Sequence, residues 1–116
     1  MRIQQLSACT GATIDTLRFY EKKGLITASH FRRGENGYRS YNDTAIERVE
    51  MIRRAQSAGF SLAEIAELFD LWDSERLSDD LIVAHLREKQ QQIARKIAEL
   101  EQIQQYLADK IQRLRG

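Results

Sequence analysis

Between Asp79 and about Leu114, apolar side chains recur at alternating spacings of three and four residues. The a positions are Val83, Gln90, Ile97, Gln104 and Ile111; the d positions are Leu86, Ile93, Leu100, Leu107 and Leu114. Eight of these ten seam positions are aliphatic, which is the pattern of a coiled-coil helix. Left in water, such a seam forfeits the burial that stabilises the helix. No other stretch of the 116 residues is long enough to cover it, so the expected partner is a second copy of the chain. Gln90 and Gln104 interrupt the seam and suit the setting of register. They lie symmetrically about Ile97, so an antiparallel pair would let Gln90 face Gln104.

The front of the chain follows a different pattern. Leu6-Ser7-Ala8-Cys9-Thr10 reads as the end of a short helix over 3–10, with Ile3 and Leu6 inward and a tight turn at Gly11. A second helix follows over 14–23. Thr13 stands where an N-cap hydroxyl can accept from an unpaired backbone N–H, and Gly24 stands where a C′ residue adopts positive φ. Helix, glycine turn, helix is the helix-turn-helix pattern, whose second helix enters a DNA major groove. Thr13, Thr16, Arg18 and Tyr20 are then the groups suited to groove edges and phosphates.

Residues 25–41 change character. Leu25-Ile26-Thr27 is short and partly β-branched, and Phe31 to Tyr41 is basic and rich in glycine. Asn36-Gly37 signals a tight turn in which both residues tolerate positive φ. A basic hairpin directly after a helix-turn-helix describes a wing, carrying Arg33, Tyr38 and Arg39, with Arg32 added on charge alone. Asn42 offers an N-cap for a third helix, roughly 43–58, with Ile46, Val49 and Ile52 or Met51 inward and Gly59 as its stop. Ser61-Leu62-Ala63-Glu64 is a capping box opening a fourth helix. Its apolar face is Leu62, Ile65, Leu68 and Phe69, with Trp72 near its end and a polar break over 73–78. Two domains are expected: a DNA-binding domain over 1–73 and a dimerisation helix over 79–114.

Charge supports that division. Residues 1–58 carry ten Lys/Arg against six Asp/Glu, whereas 59–116 carry eight against eleven. A basic front and an acidic rear suit a DNA reader joined to an assembly element. There are no prolines, which suits a mainly helical chain. No apolar run reaches the roughly 20 residues of a membrane span, and Met1-Arg2-Ile3-Gln4-Gln5 lacks a signal core. A cytoplasmic protein without a membrane partner is expected. The single cysteine excludes an internal disulfide and a multi-cysteine metal site within the chain.

Taken together, these residues resemble the MerR family of transcriptional regulators. The likeness is carried by Thr10-Gly11, Thr16-Leu17-Arg18-Phe19-Tyr20-Glu21, Gly24-Leu25-Ile26, Glu35-Asn36-Gly37-Tyr38-Arg39-Ser40-Tyr41, Ile52-Arg53-Arg54-Ala55 and Gly59-Phe60-Ser61-Leu62. The resemblance implies a mainly α fold: a winged helix-turn-helix domain plus a long C-terminal helix that dimerises as an antiparallel coiled coil. It implies a homodimer on a near-palindromic promoter operator, which bends and untwists the DNA and so acts on RNA polymerase indirectly. By position it puts Arg18, Tyr20, Arg33, Tyr38, Arg39 and Arg54 on DNA, with Thr13 and Thr16 nearby.

Within the family the chain looks most like the copper- and metal-sensing branch, but it departs from that branch at the sensor. Those relatives place two cysteines after the dimer helix; here the sequence reads Arg113-Leu114-Arg115-Gly116. A variant cysteine at the helix start is replaced by Ser78-Asp79-Asp80, and a redox-type cysteine in helix three by Arg53-Arg54-Ala55-Gln56. No sensing chemistry carries over, and no metal or cofactor is expected. Cys9 reads as a small, partly buried filler and Tyr41 as a packing residue. His30 and His85 lack a second ligand at metal spacing. No nucleophile–base pair or phosphate-cradling glycine loop suggests an enzyme. The rival reading is a coiled-coil adaptor with a vestigial helix-turn-helix, against which the basic wing argues.

Overall fold

The computed structural model describes residues 1–116 and contains five α-helices, a short 3-10 turn and one two-stranded sheet. The chain divides into two compact units, Met1–Arg76 and Leu77–Gly116.

In the first unit, helix α1 (Ile3–Thr10) ends at Gly11, which takes φ 76° and donates to the Ser7 carbonyl at 2.8 Å. Helix α2 (Ile14–Lys22) begins at Thr13, whose hydroxyl accepts from the Thr16 N–H at 3.1 Å. It closes in a Schellman arrangement: Gly24 takes φ 76° and the Leu25 N–H reaches the Tyr20 carbonyl at 2.9 Å. The inward residues of these two helices are Leu6, Leu17 and Tyr20. Arg53 reaches across from the third helix and donates to the Thr10 carbonyl at 2.7 Å. That bond satisfies an end-of-helix acceptor and fixes the turn from outside.

A 3-10 turn, Ala28–His30, leads into strands β1 (Phe31–Arg33) and β2 (Arg39–Tyr41). They pair antiparallel with Phe31 opposite Tyr41, Arg32 opposite Ser40 and Arg33 opposite Arg39. The main chain of Met1 pairs with Tyr41 in both directions, which anchors β2 beside the start of α1. The hairpin loop differs from a two-residue turn. It spans 34–38, closed by Gly34 N–H to the Tyr38 carbonyl and Gly37 N–H to the Gly34 carbonyl. Only Gly37 uses positive φ, at 78°. Asn36 instead accepts from the Tyr38 N–H through its side chain, an Asx-type bond that stabilises the loop without a left-handed backbone.

Helix α3 (Asp43–Ser57) is capped by Asn42, and α4 (Leu62–Asp73) by the reciprocal Ser61–Glu64 capping box. The buried face of α3 is Ala45, Arg48, Val49 and Ile52; Ile46 and Met51 lie at its margin. Ile65 and Phe69 are the buried residues of α4. Leu6, Leu17, Leu25, Val49, Ile52 and Ile65 are fully enclosed and form the centre of the core. Helix α4 continues through Asp73, one residue into the expected break, and the chain then turns with Glu75 at φ 59°.

His30 is buried at the root of the wing, with its Nδ1 accepting from the Thr27 N–H at 2.9 Å. Burial lowers its pKa from the ordinary 6.5, and the Arg48 charge lowers it further. The imidazole is therefore neutral in the fold. A histidine with a depressed folded pKa contributes stability above its unfolded pKa, and that stability is lost as pH falls through the folded value. Thermal unfolding midpoints should drop as pH falls below about 6.5, the unfolded value. His30→Gln should flatten that part of the profile; an unchanged slope in the variant would remove His30 as its cause.

The second unit is helix α5 (Asp79–Arg115), 37 residues and therefore about 55 Å long. Ser78 caps it by accepting from the Leu81 N–H, Asp79 and Asp80 occupy its first turn, and Arg113 and Arg115 its last. Acid at the N-terminus and base at the C-terminus both favour the helix dipole. The seam is open: Ile93 is 43% exposed, Ile97 52%, Leu100 53% and Leu107 52%.

Candidate nucleic-acid interface

Helix α2 buries Leu17 and Tyr20 and turns Arg18 to solvent on its other side. The Thr13 hydroxyl also donates to the Thr16 hydroxyl at 2.9 Å, so Thr13 is occupied by capping while the Thr16 proton stays available at the head of α2. Arg18, Arg33 and Arg54 are exposed and take part in none of the chain's ion pairs. Arg33 lies directly across the ribbon from Arg39. Like charges in that relation repel unless an anion lies between them.

Tyr38 stands at the wing tip, 61% exposed, with the Arg2 guanidinium 4.7 Å above its ring. Arg39 is half-buried. It stacks 4.4 Å over Phe31 and forms an ion pair with Glu21 of α2. The Tyr41 hydroxyl donates to the same carboxylate. Glu21 thus joins the recognition helix to the wing. Burial raises the Tyr41 pKa, and the Arg39 and Arg18 charges pull it partly back. Between α1, α2 and the wing lies a cleft of about 390 Å³ whose lining includes Arg2, Arg18, Glu21, Tyr38 and Arg39.

Two expectations, for Tyr20 and Cys9, need correction. Tyr20 belongs to the core, not to the DNA-facing set: it is 3% exposed and its hydroxyl donates to Gln56 at 2.9 Å. The helical period decides this, because Tyr20 lies three residues from Leu17 on the inward face. Arg32 pairs with Ser40 and stands exposed on the opposite face of the ribbon from Arg33 and Arg39, apart from the cleft but open to solvent. Cys9 is exposed, not a partly buried filler. Two residues join the cleft that sequence reasoning passed over, Arg2 and Glu21. Arg2 could have been found from its place just before α1. Glu21 gave no such signal, since its partners lie 18 and 20 residues away.

Residues 1–72 match the family described as MerR HTH family regulatory protein, and residues 46–110 match the one described as MerR, DNA binding. The chain belongs to the MerR family. It is 38% identical over 108 residues to the HTH-type transcriptional regulator CueR of Escherichia coli O157:H7, covering 92% of this chain and 78% of that protein. It is 36% identical over 98 residues to heavy metal-dependent transcription regulator 2 of Rhizobium meliloti, covering 81% and 65% respectively. Among solved structures, the lead(II) complex of the transcription regulator PbrR691 from Ralstonia metallidurans CH34 superposes with a TM-score of 0.84 at 30% identity, covering 94% of this chain and 84% of that one. HiNmlR, a MerR family regulator lacking the sensor domain and bound to promoter DNA, matches with a TM-score of 0.57 at 26% identity, over 95% and 86%. This MerR protein is a DNA-binding transcription regulator with a winged helix-turn-helix and a long C-terminal helix of coiled-coil type. No helix in it is long and apolar enough to cross a membrane.

Proposed function

We propose that this MerR protein acts in the cytoplasm as a homodimer, pairing α5 antiparallel with its copy and seating two winged domains on a near-palindromic promoter operator. The observation that carries the reading is the cleft between α2 and the wing. Arg2, Arg18 and Arg39 line it together, which suits a DNA phosphate better than any apolar ligand. Arg18, Arg33, Tyr38 and Arg39 form the DNA-facing set, with Thr16 at the head of α2 and Arg54 on α3. Thr13 contributes by capping. Two such grips either side of an operator centre supply the purchase that bending and untwisting require. RNA polymerase would then be affected through promoter geometry. The adaptor alternative leaves the clustered guanidiniums without a use.

Arg18→Ala should weaken binding to the protein's own upstream promoter DNA by about 1–3 kcal/mol and make the salt dependence shallower by about 0.9 per chain. Fluorescence anisotropy on labelled duplex across a salt series measures both. Wild-type affinity and slope in the variant would remove Arg18 from the interface. Absence of binding to any duplex at low salt would favour the adaptor.

A further inference from the structure

The cleft between α2 and the wing contains a group that a phosphate seat would be expected to avoid. Glu21 lies among Arg2, Arg18 and Arg39, and its side chain is only 13% exposed. A carboxylate there repels an incoming phosphate. It also takes up the guanidinium of Arg39 and the hydroxyl of Tyr41. The Arg39 guanidinium also stacks on the Phe31 ring, a second contact that favours this position. Three cations and one anion leave the cleft with a net charge of two, not three.

We propose that Glu21 limits the strength of the phosphate grip, cancelling the charge of Arg39 while fixing the wing to the recognition helix. This rests on the reading of the cleft as a phosphate seat. Phosphate contacts carry no sequence information, so each added cation tightens binding to every DNA alike. A regulator gripping all duplex more strongly keeps the same ratio of operator to non-operator affinity, but it leaves non-operator DNA more slowly and so takes longer to reach its operator. Glu21 serves position and restraint at once: the wing stays docked, and non-operator DNA is released.

Glu21→Gln is the direct test, because it removes the charge while its single amide oxygen can still accept from Tyr41 or from Arg39. Binding to a random-sequence duplex, followed by anisotropy over a salt series, should tighten by up to about 8-fold per chain at about 0.1 M salt, with a slope steeper by about 0.9. Arg39→Gln should shift the slope the other way, and Glu21→Gln with Arg39→Gln should restore it. Glu99→Gln on α5 makes the same change in net charge and should leave the slope alone. Weaker binding by Glu21→Gln, or an unchanged slope beside wild-type binding, would overturn the proposal and leave Glu21 a brace only. If Glu21→Gln does not fold, Arg39→Gln decides: a slope equal to that of the wild type would refute the proposal. Wild-type protein that binds no duplex at low salt would defeat the phosphate-seat reading itself.

Discussion

Aspartate at both Ile97 and Leu100 is expected to give a monomer that keeps its N-terminal fold and binds operator DNA at least about 100-fold more weakly. Both residues sit mid-seam and about half exposed, at 52% and 53%, in the single chain. In the proposed pair they are covered by the second helix. Each contributes apolar burial there, and an aspartate instead brings a charge without a partner into a dry seam. A pair carries four such charges, because each substitution occurs in both copies. The N-terminal core contains neither residue, so its unfolding should be little changed. Losing the pair removes half the phosphate contacts from each binding event. Light scattering on the eluting protein reads the mass, and anisotropy reads the affinity. A dimeric variant with native affinity would show that the seam is not the interface. Direction is read separately, with one cysteine at each end of α5 in a Cys9→Ser background, since Cys9 is exposed and would itself react. Crosslinks between opposite ends support the antiparallel pair; crosslinks between like ends refute it.

The second large effect is on stability. Arg48→Ala should destabilise the N-terminal unit by about 2–4 kcal/mol. Arg48 is 6% exposed, and its Nε donates to the Leu25 carbonyl at 2.7 Å. Its two terminal nitrogens grip both oxygens of Asp73 at 3.0 and 2.9 Å. The guanidinium carbon lies 3.7 Å over the Phe69 ring. One side chain therefore ties the backbone just after the recognition helix to the last residue of α4. Asp73 is 44% exposed, so the ion pair itself is partly screened and supplies the smaller share. The larger share is the Leu25 acceptor left unsatisfied and the stacking lost against Phe69. A fall in melting temperature of about 10–20 °C follows for a unit of this size. Arg48→Lys should recover only part, because an ammonium cannot make the fork and the stack together. A loss below about 1 kcal/mol for the alanine variant, by thermal or denaturant unfolding, would show that the neighbouring apolar residues carry this junction alone.

Local signals were enough for every helix boundary to within a residue or two. Thr13, Asn42, Ser61 and Ser78 each satisfy a backbone N–H at a helix start, a relation that spans two or three residues and so is written in the sequence. Gly24 and Gly37 take the positive φ that their turns require, again a local matter. The heptad seam of α5 was legible for the same reason: a period survives in one dimension. Its partner's direction was not, because Gln90 opposite Gln104 is a statement about two chains.

What only the tertiary structure decided were the pairings between distant residues. Tyr20 carries a polar group and sits in a motif suited to DNA, yet the inward face of α2 places it over Gln56, 36 residues away. Arg32 and Arg33 are chemically alike and adjacent. The strand register sends them to opposite faces, so only Arg33 meets Arg39. Arg39 looked like a free wing cation until the fold set Glu21 beneath it. Sequence alone determined the helices and their order, since these rest on short-range hydrogen bonding and on the periodicity of apolar residues; the family was legible in the spaced motifs. Which arginines remain outside the ion pairs and which are held as braces was settled by three-dimensional packing, because a charge is available only when nothing folded beside it has already taken it.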